Sequence, residues 1–110
     1  MSLPVTLTAS AKEDIRSTLQ WIAQRSRSGA DAWYRRWLKV LDELGEFGES
    51  MGVAPENEDH DAIIRQVIFK TRRGLPYRAL FIVRDNQVYV LHVRGPGQDL
   101  LSKGDLQLPE

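Results

Sequence analysis

The side chains best suited to chemistry in this chain lie between positions 65 and 94. That segment holds His92 and Tyr77, together with seven cations: Arg65, Lys70, Arg72, Arg73, Arg78, Arg84 and Arg94. Guanidinium and ammonium groups bind anions through charge and hydrogen bonds, and a neutral imidazole can act as a base near neutral pH. The segment therefore indicates a surface that contacts an anionic partner.

The charges are distributed unevenly along a chain whose net charge is zero. Residues 42–61 hold eight acidic side chains and no basic one, while residues 62–110 hold eight basic and four acidic ones. An arginine inside a strand must either reach solvent or pair with a carboxylate, and the acids at 42–61 are candidate partners. The alternative is that the helices and loops are simply acidic and the strands basic, with no function attached.

Length and composition bound the remaining possibilities. We expect 110 residues to form a single domain, 1–110, with flexible tails at 1–4 and 104–110. Cysteine is absent, which excludes disulfides and a thiolate nucleophile. The two histidines lie in different settings, His60 in the acidic loop and His92 in a strand, so we expect no metal site. No signal peptide or membrane span is evident, and we expect a cytoplasmic protein.

Two amphipathic helices are predicted in the first half of the chain. The first begins at Ser10, whose hydroxyl can cap the helix while Glu13 reaches back. The second begins near Ser28 and Asp31, which repeat the capping spacing, and ends at Gly45–Gly48. Apolar residues recur at helical spacing in both: Ile15, Leu19, Ile22, Trp33, Tyr34, Trp37, Leu38, Leu41 and Leu44.

Four strands are predicted around this helical hairpin. Alternation predicts a short strand at 5–9, and β-rich runs predict strands at 63–71, 77–84 and 88–94, after a surface loop at 48–61. The order is β-α-α-β-β-β, which indicates an α+β fold: a helical hairpin packed on a small, mainly antiparallel sheet. Both faces of the middle strand are apolar, so we expect its second face to be partly covered or to form a groove.

Several short stretches, read in this order, resemble one known family. They are Trp21-Ile22-Ala23 in the first helix, Arg65 at the start of a strand, Pro76-Tyr77-Arg78, and the run Val-Leu-His-Val-Arg at 90–94. Together they resemble the RelE/ParE superfamily, the toxins of bacterial toxin–antitoxin modules that are often called plasmid stabilisation proteins. The resemblance spans residues 5–101. It implies an antitoxin partner that lays a helix and an extended segment over the toxin, and no cofactor.

The resemblance implies different chemistry for the two branches of that superfamily. RelE-like toxins cut messenger RNA on the ribosome without a metal. In this chain that would place Lys70, Arg72 and Arg78 at the phosphate, with His92 or Tyr77 transferring protons. ParE-like toxins bind DNA gyrase and catalyse nothing themselves. Gln98 stands where the RelE pattern has an arginine, and a neutral amide cannot offset a phosphate charge. No tyrosine follows Tyr89, where that pattern has one.

The sequence therefore favours a ParE-like toxin that arrests growth by binding DNA gyrase. The alternatives are a RelE-like ribosome-dependent endoribonuclease, and an inactive relative that serves only as a binding module. Apolar surface awaiting an antitoxin could also drive homodimer formation. The residues expected at a partner or anion are Arg65, Arg72, Arg73, Arg78, Arg94, Gln98 and Trp21. Trp21 lies beside the apolar stripe of its helix, so we expect it to be partly exposed. We expect Trp33 and Trp37 to lie in the core.

Overall fold

A computed structural model of the chain describes residues 2–57, 62–98, 100–101, 105–106 and 108–109. It contains β1 (Val5–Leu7), α1 (Ala9–Ala23), α2 (Arg27–Phe47), β2 (Arg65–Phe69), β3 (Tyr77–Arg84) and β4 (Gln87–Arg94). The sheet order is β1-β4-β3-β2, with β1 parallel to β4 and the other two pairs antiparallel. The α+β fold and its predicted order of elements are confirmed. No helix in the described part of the chain is long and apolar enough to cross a membrane.

The N-cap of each helix lies two residues before the one predicted from the sequence. Thr8 caps α1, because its Oγ1 accepts a hydrogen bond from the Ala11 amide at 3.2 Å. The same hydroxyl donates to the Leu91 carbonyl at 3.1 Å, so the chain must turn as soon as it leaves β1. Ser26 caps α2 through the Gly29 amide at 2.9 Å. The caps predicted at Ser10 and Ser28 are therefore wrong.

Helix α2 ends at Phe47 with Gly48 as its C-cap, which confirms the end predicted at Gly45–Gly48, and residues before β1 cross the helix at Gly45. The Leu3 amide donates to the Gly45 carbonyl at 2.8 Å, and a Cβ on Gly45 would lie 2.8 Å from the Leu3 carbonyl oxygen. Glycine at 45 is thus required by a close backbone approach. The expected flexibility of residues 1–4 stays a prediction, although the Pro4 carbonyl also accepts from Val88.

The main core lies between the helices and one face of the sheet. Trp33 and Trp37 are buried and stack on each other with centroids 6.2 Å apart, which confirms that they belong to the core. They pack with the other buried residues of this face: Ala11, Ile15, Val40, Leu44, Phe69, Ala79, Phe81, Val88, Val90 and Val93. An aromatic cluster of this size supplies much of the apolar burial that stabilises so short a chain.

The second face of the sheet is also buried, under two segments that carry little regular structure. Leu80, Ile82 and Leu91 pack there against Ala54 and Ile64 from the loop after α2, and against Leu106 from the C-terminal segment. This explains why β3 carries apolar side chains on both of its faces, and it confirms that the second face is covered, as expected. Residues 58–61, which include His60 of the predicted solvated loop, lie outside the described residues.

A β-bulge shifts the register between β3 and β4. Leu80 pairs with His92 and Phe81 pairs with Val90, so β4 has one extra residue, Leu91, at this point. After this extra residue, each side chain of β4 points to the face opposite to the one that simple alternation predicts. Simple alternation along β4 predicts that His92 lies on the same face as Val88 and Val90, and the bulge shows that this prediction is wrong.

A tight hairpin joins β3 to β4 at Asp85 and Asn86, whose φ angles are 52° and 60°. Two consecutive left-handed residues are the signature of a type I′ turn. We expect Asn86→Val to destabilise the protein by about 1 kcal/mol, because a β-branched side chain tolerates this φ poorly. Urea denaturation would measure it, with Asn86→Gly as the control that fits the same turn. Equal stability of the two variants would contradict the assignment.

Candidate functional site

Arg78, the strand arginine expected at a phosphate, is held by a buried carboxylate. Its Nη1 donates to Glu56 Oε1 at 2.7 Å, its Nη2 donates to Glu56 Oε2, and Nη1 also donates to Gln66 Oε1 at 3.2 Å. The Glu56 side chain has no exposed surface, and that of Arg78 is 17% exposed. This bidentate pair lies on the second face of the sheet, beneath the loop after α2.

The environment of Glu56 stabilises its charged form. Burial alone would raise the pKa of this carboxyl, but the hydrogen bonds from Arg78 and from the Leu101 amide, at 3.2 Å, outweigh it and lower the pKa. The expectation that acids at 42–61 supply partners for strand arginines is confirmed for this pair. Since the two charges cancel, a phosphate could reach the Arg78 guanidinium only by displacing Glu56.

Two more strand arginines hold neighbouring segments against the sheet. Arg65 donates from Nη1 to the Met51 carbonyl at 2.7 Å, and Arg84 donates to the Pro109 carbonyl. With Arg78 they form what we call the arginine anchors: three cations that hold the loop after α2 and the C-terminal segment onto the sheet. Arg94 lies directly opposite Arg78 in the β3–β4 pair and is partly buried.

The exposed cations lie elsewhere, in the connection between β2 and β3. Lys70, Arg72 and Arg73 are exposed, and none of them makes a hydrogen bond or ion pair with a residue that the structure describes. The seven cations singled out in the sequence thus fall into two groups. Three of the strand arginines, Arg65, Arg78 and Arg84, bond to internal partners, while the cations of the connection face solvent.

His92 is fixed between α1 and the C-terminal segment. Its Nδ1 lies 2.9 Å from Asp14 Oδ2 and its Nε2 lies 3.2 Å from the Asp105 carbonyl oxygen. Asp14 Oδ2 also accepts from the Val93 amide at 2.9 Å, so this carboxylate covers the edge of β4 beyond the end of β1. Because both ring nitrogens face acceptors, only the protonated imidazole can donate to each of them. This arrangement favours a packed structural histidine over a catalytic base.

Tyr77 belongs to the aromatic core and borders a groove at its edge. Its ring packs edge-on against Trp33 at 5.4 Å, and burial raises the pKa of its hydroxyl. The groove holds about 310 Å³ and is lined chiefly by Trp21, Ile22, Leu75, Tyr77 and Pro96; we call it the aromatic groove. Trp21 is 54% exposed, as expected from its place beside the stripe, and Leu75 is 66% exposed. The Arg25 guanidinium stacks on the Trp21 ring at 3.9 Å.

Gln98 closes the turn that follows β4. Its Oε1 accepts from the Gly95 amide, and Gly97 adopts a left-handed φ of 78° within that turn. The Gln98 side chain, expected at a partner or anion, therefore has a structural partner within its own turn. Among the described residues, no group of three or more His, Asp or Glu side chains could hold a metal ion.

Sequence reasoning missed the partners that decide the roles of the candidate residues. Glu56 was one of eight acids at 42–61 and lay in the predicted surface loop, and Asp14 was an ordinary polar position of α1. Leu75 and Pro96 were turn residues with no assigned contact. The charge complementarity between residues 42–61 and the strands was the signal for Glu56, although it could not single out one acid.

Comparison with known proteins identifies the fold. No protein-family model matches the sequence, and no curated protein matches it. A chain of the chromosomal ParDE toxin–antitoxin system of P. aeruginosa matches with a TM-score of 0.63 and 14% identity, over 86% of this chain and 96% of that one. A mutant of the E. coli toxin RelE in the free state matches with a TM-score of 0.54 and 15% identity, over 88% and 86%. The RelE/ParE-like fold expected from the sequence is confirmed.

The Arg78–Glu56 pair yields a stability test. We expect Glu56→Gln to lower the free energy of unfolding by about 3 kcal/mol, because it leaves a buried guanidinium without its counter-charge. The double variant Arg78→Met/Glu56→Leu should lose much less, since both charges leave together. Urea denaturation of the two variants and the parent protein measures the difference. A loss below about 1 kcal/mol for Glu56→Gln would place the pair among weak surface pairs.

The position of His92 yields a test of pH dependence. The hydrogen bond that the His92 ring donates to the Asp14 carboxylate raises the pKa of His92, and the Asp105 carbonyl acts in the same direction, against burial and the nearby Arg94. Because folding raises the pKa of His92, its protonation stabilises the folded state. This contribution is complete below the pKa of the unfolded chain, 6.5, and is lost as the pH rises through the pKa of the folded protein. We expect NMR titration of the imidazole to show the raised pKa.

The matched control for that titration is Asp14→Asn. The amide oxygen can still accept from Val93, but it no longer attracts an imidazolium, so the pKa of His92 should fall toward its ordinary value. His60→Gln removes the other histidine signal and makes the assignment unambiguous. A His92 pKa that is the same in the parent protein and in the Asp14→Asn variant would show that the contact carries no charge interaction.

Proposed function

We propose that this protein is the toxin of a type II toxin–antitoxin module. In this proposal it acts as ParE-like toxins do: it arrests growth by binding DNA gyrase, cuts no RNA itself, and is neutralised by a cognate antitoxin. The fold shared with a ParDE chain and with RelE supports the general class. Fold alone does not select a function, so the choice of branch rests on the residues.

The observation that carries the choice is the Arg78–Glu56 pair. A metal-free ribonuclease depends on cations aimed at the phosphate, since electrostatic stabilisation of the transition state supplies most of its rate. Here the strand arginine is neutralised by a buried carboxylate, and Gln98 bonds to its own turn. Arg78 would have to exchange an internal partner for the substrate.

The other candidate catalytic groups are also dispersed. Tyr77 and Arg78 are consecutive strand residues and so point to opposite faces of the sheet. Tyr77 packs against Trp33 on the helix side, and His92 is bonded to Asp14. Acid–base catalysis requires its groups within hydrogen-bonding reach of one substrate position. The spread of these side chains supports action by binding rather than by cleavage.

The aromatic groove is the surface that we assign to the protein partner. A large exposed apolar patch with an aromatic residue is typical of a protein interface, and Trp21 and Leu75 provide one. The antitoxin would cover this groove with apolar side chains, while its acidic residues would meet Arg73 at the rim. In the absence of antitoxin, the same patch could pair two copies of the toxin.

The function is tested by inducing the protein alone in a bacterial host that carries a DNA-damage reporter. We expect growth arrest with the reporter switched on, because a poisoned gyrase leaves broken DNA. Arrest with a silent reporter and cleaved messenger RNA would support the endoribonuclease instead. Normal growth would identify an inactive relative that acts only as a binding module.

A variant separates the two toxic mechanisms without relying on the reporter. Arg78→Met/Glu56→Leu removes the candidate phosphate arginine together with its partner, and should keep the fold and the toxicity of a gyrase-binding protein. Loss of a phosphate-binding cation from a ribonuclease would lower its rate about 100-fold or more. Folding of the double variant is checked by circular dichroism before its toxicity is compared.

A further inference from the structure

A second groove, on a different side of α2, is lined by cations. It holds about 300 Å³ and lies between α2 and the residues that follow β2. Five basic side chains border it, and we call it the basic groove: Arg35, Arg36, Lys39, Lys70 and Arg72. None of them belongs to the arginine anchors or to the aromatic groove. The three cations from α2 were not among the residues singled out from the sequence.

Little in the described structure offsets this charge. Arg35 pairs with Asp31 at 2.7 Å and Arg36 pairs with Glu43 at 3.2 Å, but all four side chains are at least partly exposed. Exposed pairs of this kind contribute little and are readily exchanged. Within the described residues, Lys39, Lys70 and Arg72 contact no carboxylate. The basic groove therefore presents several cations to a ligand from solvent.

The lining of the basic groove also indicates which kind of anion fits. Between the cations lie only Ala32 and Thr71, so the groove offers no aromatic ring for stacking and no socket for a large apolar side chain. Single-stranded nucleic acids bind mainly through base stacking on aromatic rings, and protein partners need buried apolar anchors. A ligand that presents only repeated charges matches these walls best.

We propose that the basic groove binds the phosphate backbone of double-stranded DNA, independently of base sequence. Arg35 and Lys39 are one helical turn apart, about 6 Å along the axis, and successive phosphates of one strand rise about 3.4 Å per step. Two long side chains at that spacing match phosphates about two steps apart on one strand, while Lys70 and Arg72 approach from the opposite wall. This proposal does not depend on the gyrase target.

The test uses the purified full-length protein and a short fluorescein-labelled DNA duplex. Fluorescence anisotropy at a series of salt concentrations gives the slope of log affinity against log salt, which is about −0.9 for each phosphate neutralised. With three to five cations in contact, we expect a slope of about −2.7 to −4.5. Lys39→Gln/Lys70→Gln should weaken binding and make the slope shallower by about 2.

The matched control is Lys12→Gln/Arg27→Gln, which removes the same charge from two exposed positions outside the basic groove. This variant should keep the slope and nearly all the affinity. An equal loss in both variants would overturn the proposal, because the attraction would then be a general effect of net charge. Circular dichroism shows that both variants are folded before the comparison is made.

Two competitors decide between the possible ligands of the basic groove. A single-stranded RNA of the same length that binds more tightly than the duplex would overturn the assignment to double-stranded DNA. A glutamate-rich peptide that binds at salt concentrations where the duplex does not would overturn it in favour of an acidic protein. Preference for the duplex over both ligands, lost in Lys39→Gln/Lys70→Gln, is the result that supports the proposal.

Discussion

A buried carboxylate is costly unless a cation pairs with it, because it leaves water and its charge must be balanced inside the protein. Arg78 and Glu56 meet this requirement on the second face of the sheet, and much of the remaining structure depends on their contact. Glu56 fixes the loop after α2 over β3, and its other bond, from the Leu101 amide, brings in the C-terminal segment. One carboxylate thus joins a strand, a loop and the end of the fold. The burial of Leu80, Ile82 and Leu91 follows from that arrangement.

This internal use of charge changes the meaning of the basic second half of the chain. The strand cations that made the sheet look like an anion-binding surface are mostly occupied: Arg65 and Arg84 bond to backbone carbonyls and Arg78 bonds to Glu56. The charge available to a partner lies on the helical side, where basic residues of α2 meet those that follow β2. An exposed apolar patch lies in a separate groove around Trp21 and Leu75. Recognition by apolar contact and recognition by charge are therefore assigned to different surfaces of the same helical hairpin.

The periodicity of apolar residues was sufficient to predict the helices, the strands and their order, since these patterns depend on which side chains of each segment are buried. The details that failed depend on contacts between residues distant in sequence. Thr8 caps α1 in place of Ser10 and also bonds to Leu91, 83 positions away. The end of α2 was predicted correctly, but the role of Gly45 in the crossing of Leu3 was not. The bulge at Leu91 reversed the parity on which the interpretation of His92 relied. Charge complementarity showed that strand arginines needed acids, but only tertiary structure selects Glu56 from eight acidic residues.

The pairing of the first strand with the last has a consequence for synthesis of the chain. Strand β1 pairs in parallel with β4, and the Thr8 hydroxyl donates to the Leu91 carbonyl, 83 positions later in the sequence. Closing so long a loop is slow, because its entropic cost comes before any contact repays it. A nascent chain on the ribosome cannot place β1 until Arg94 has left the exit tunnel. The helical hairpin can form early, but the sheet, and with it the cover over its second face, is completed only as translation of this region ends.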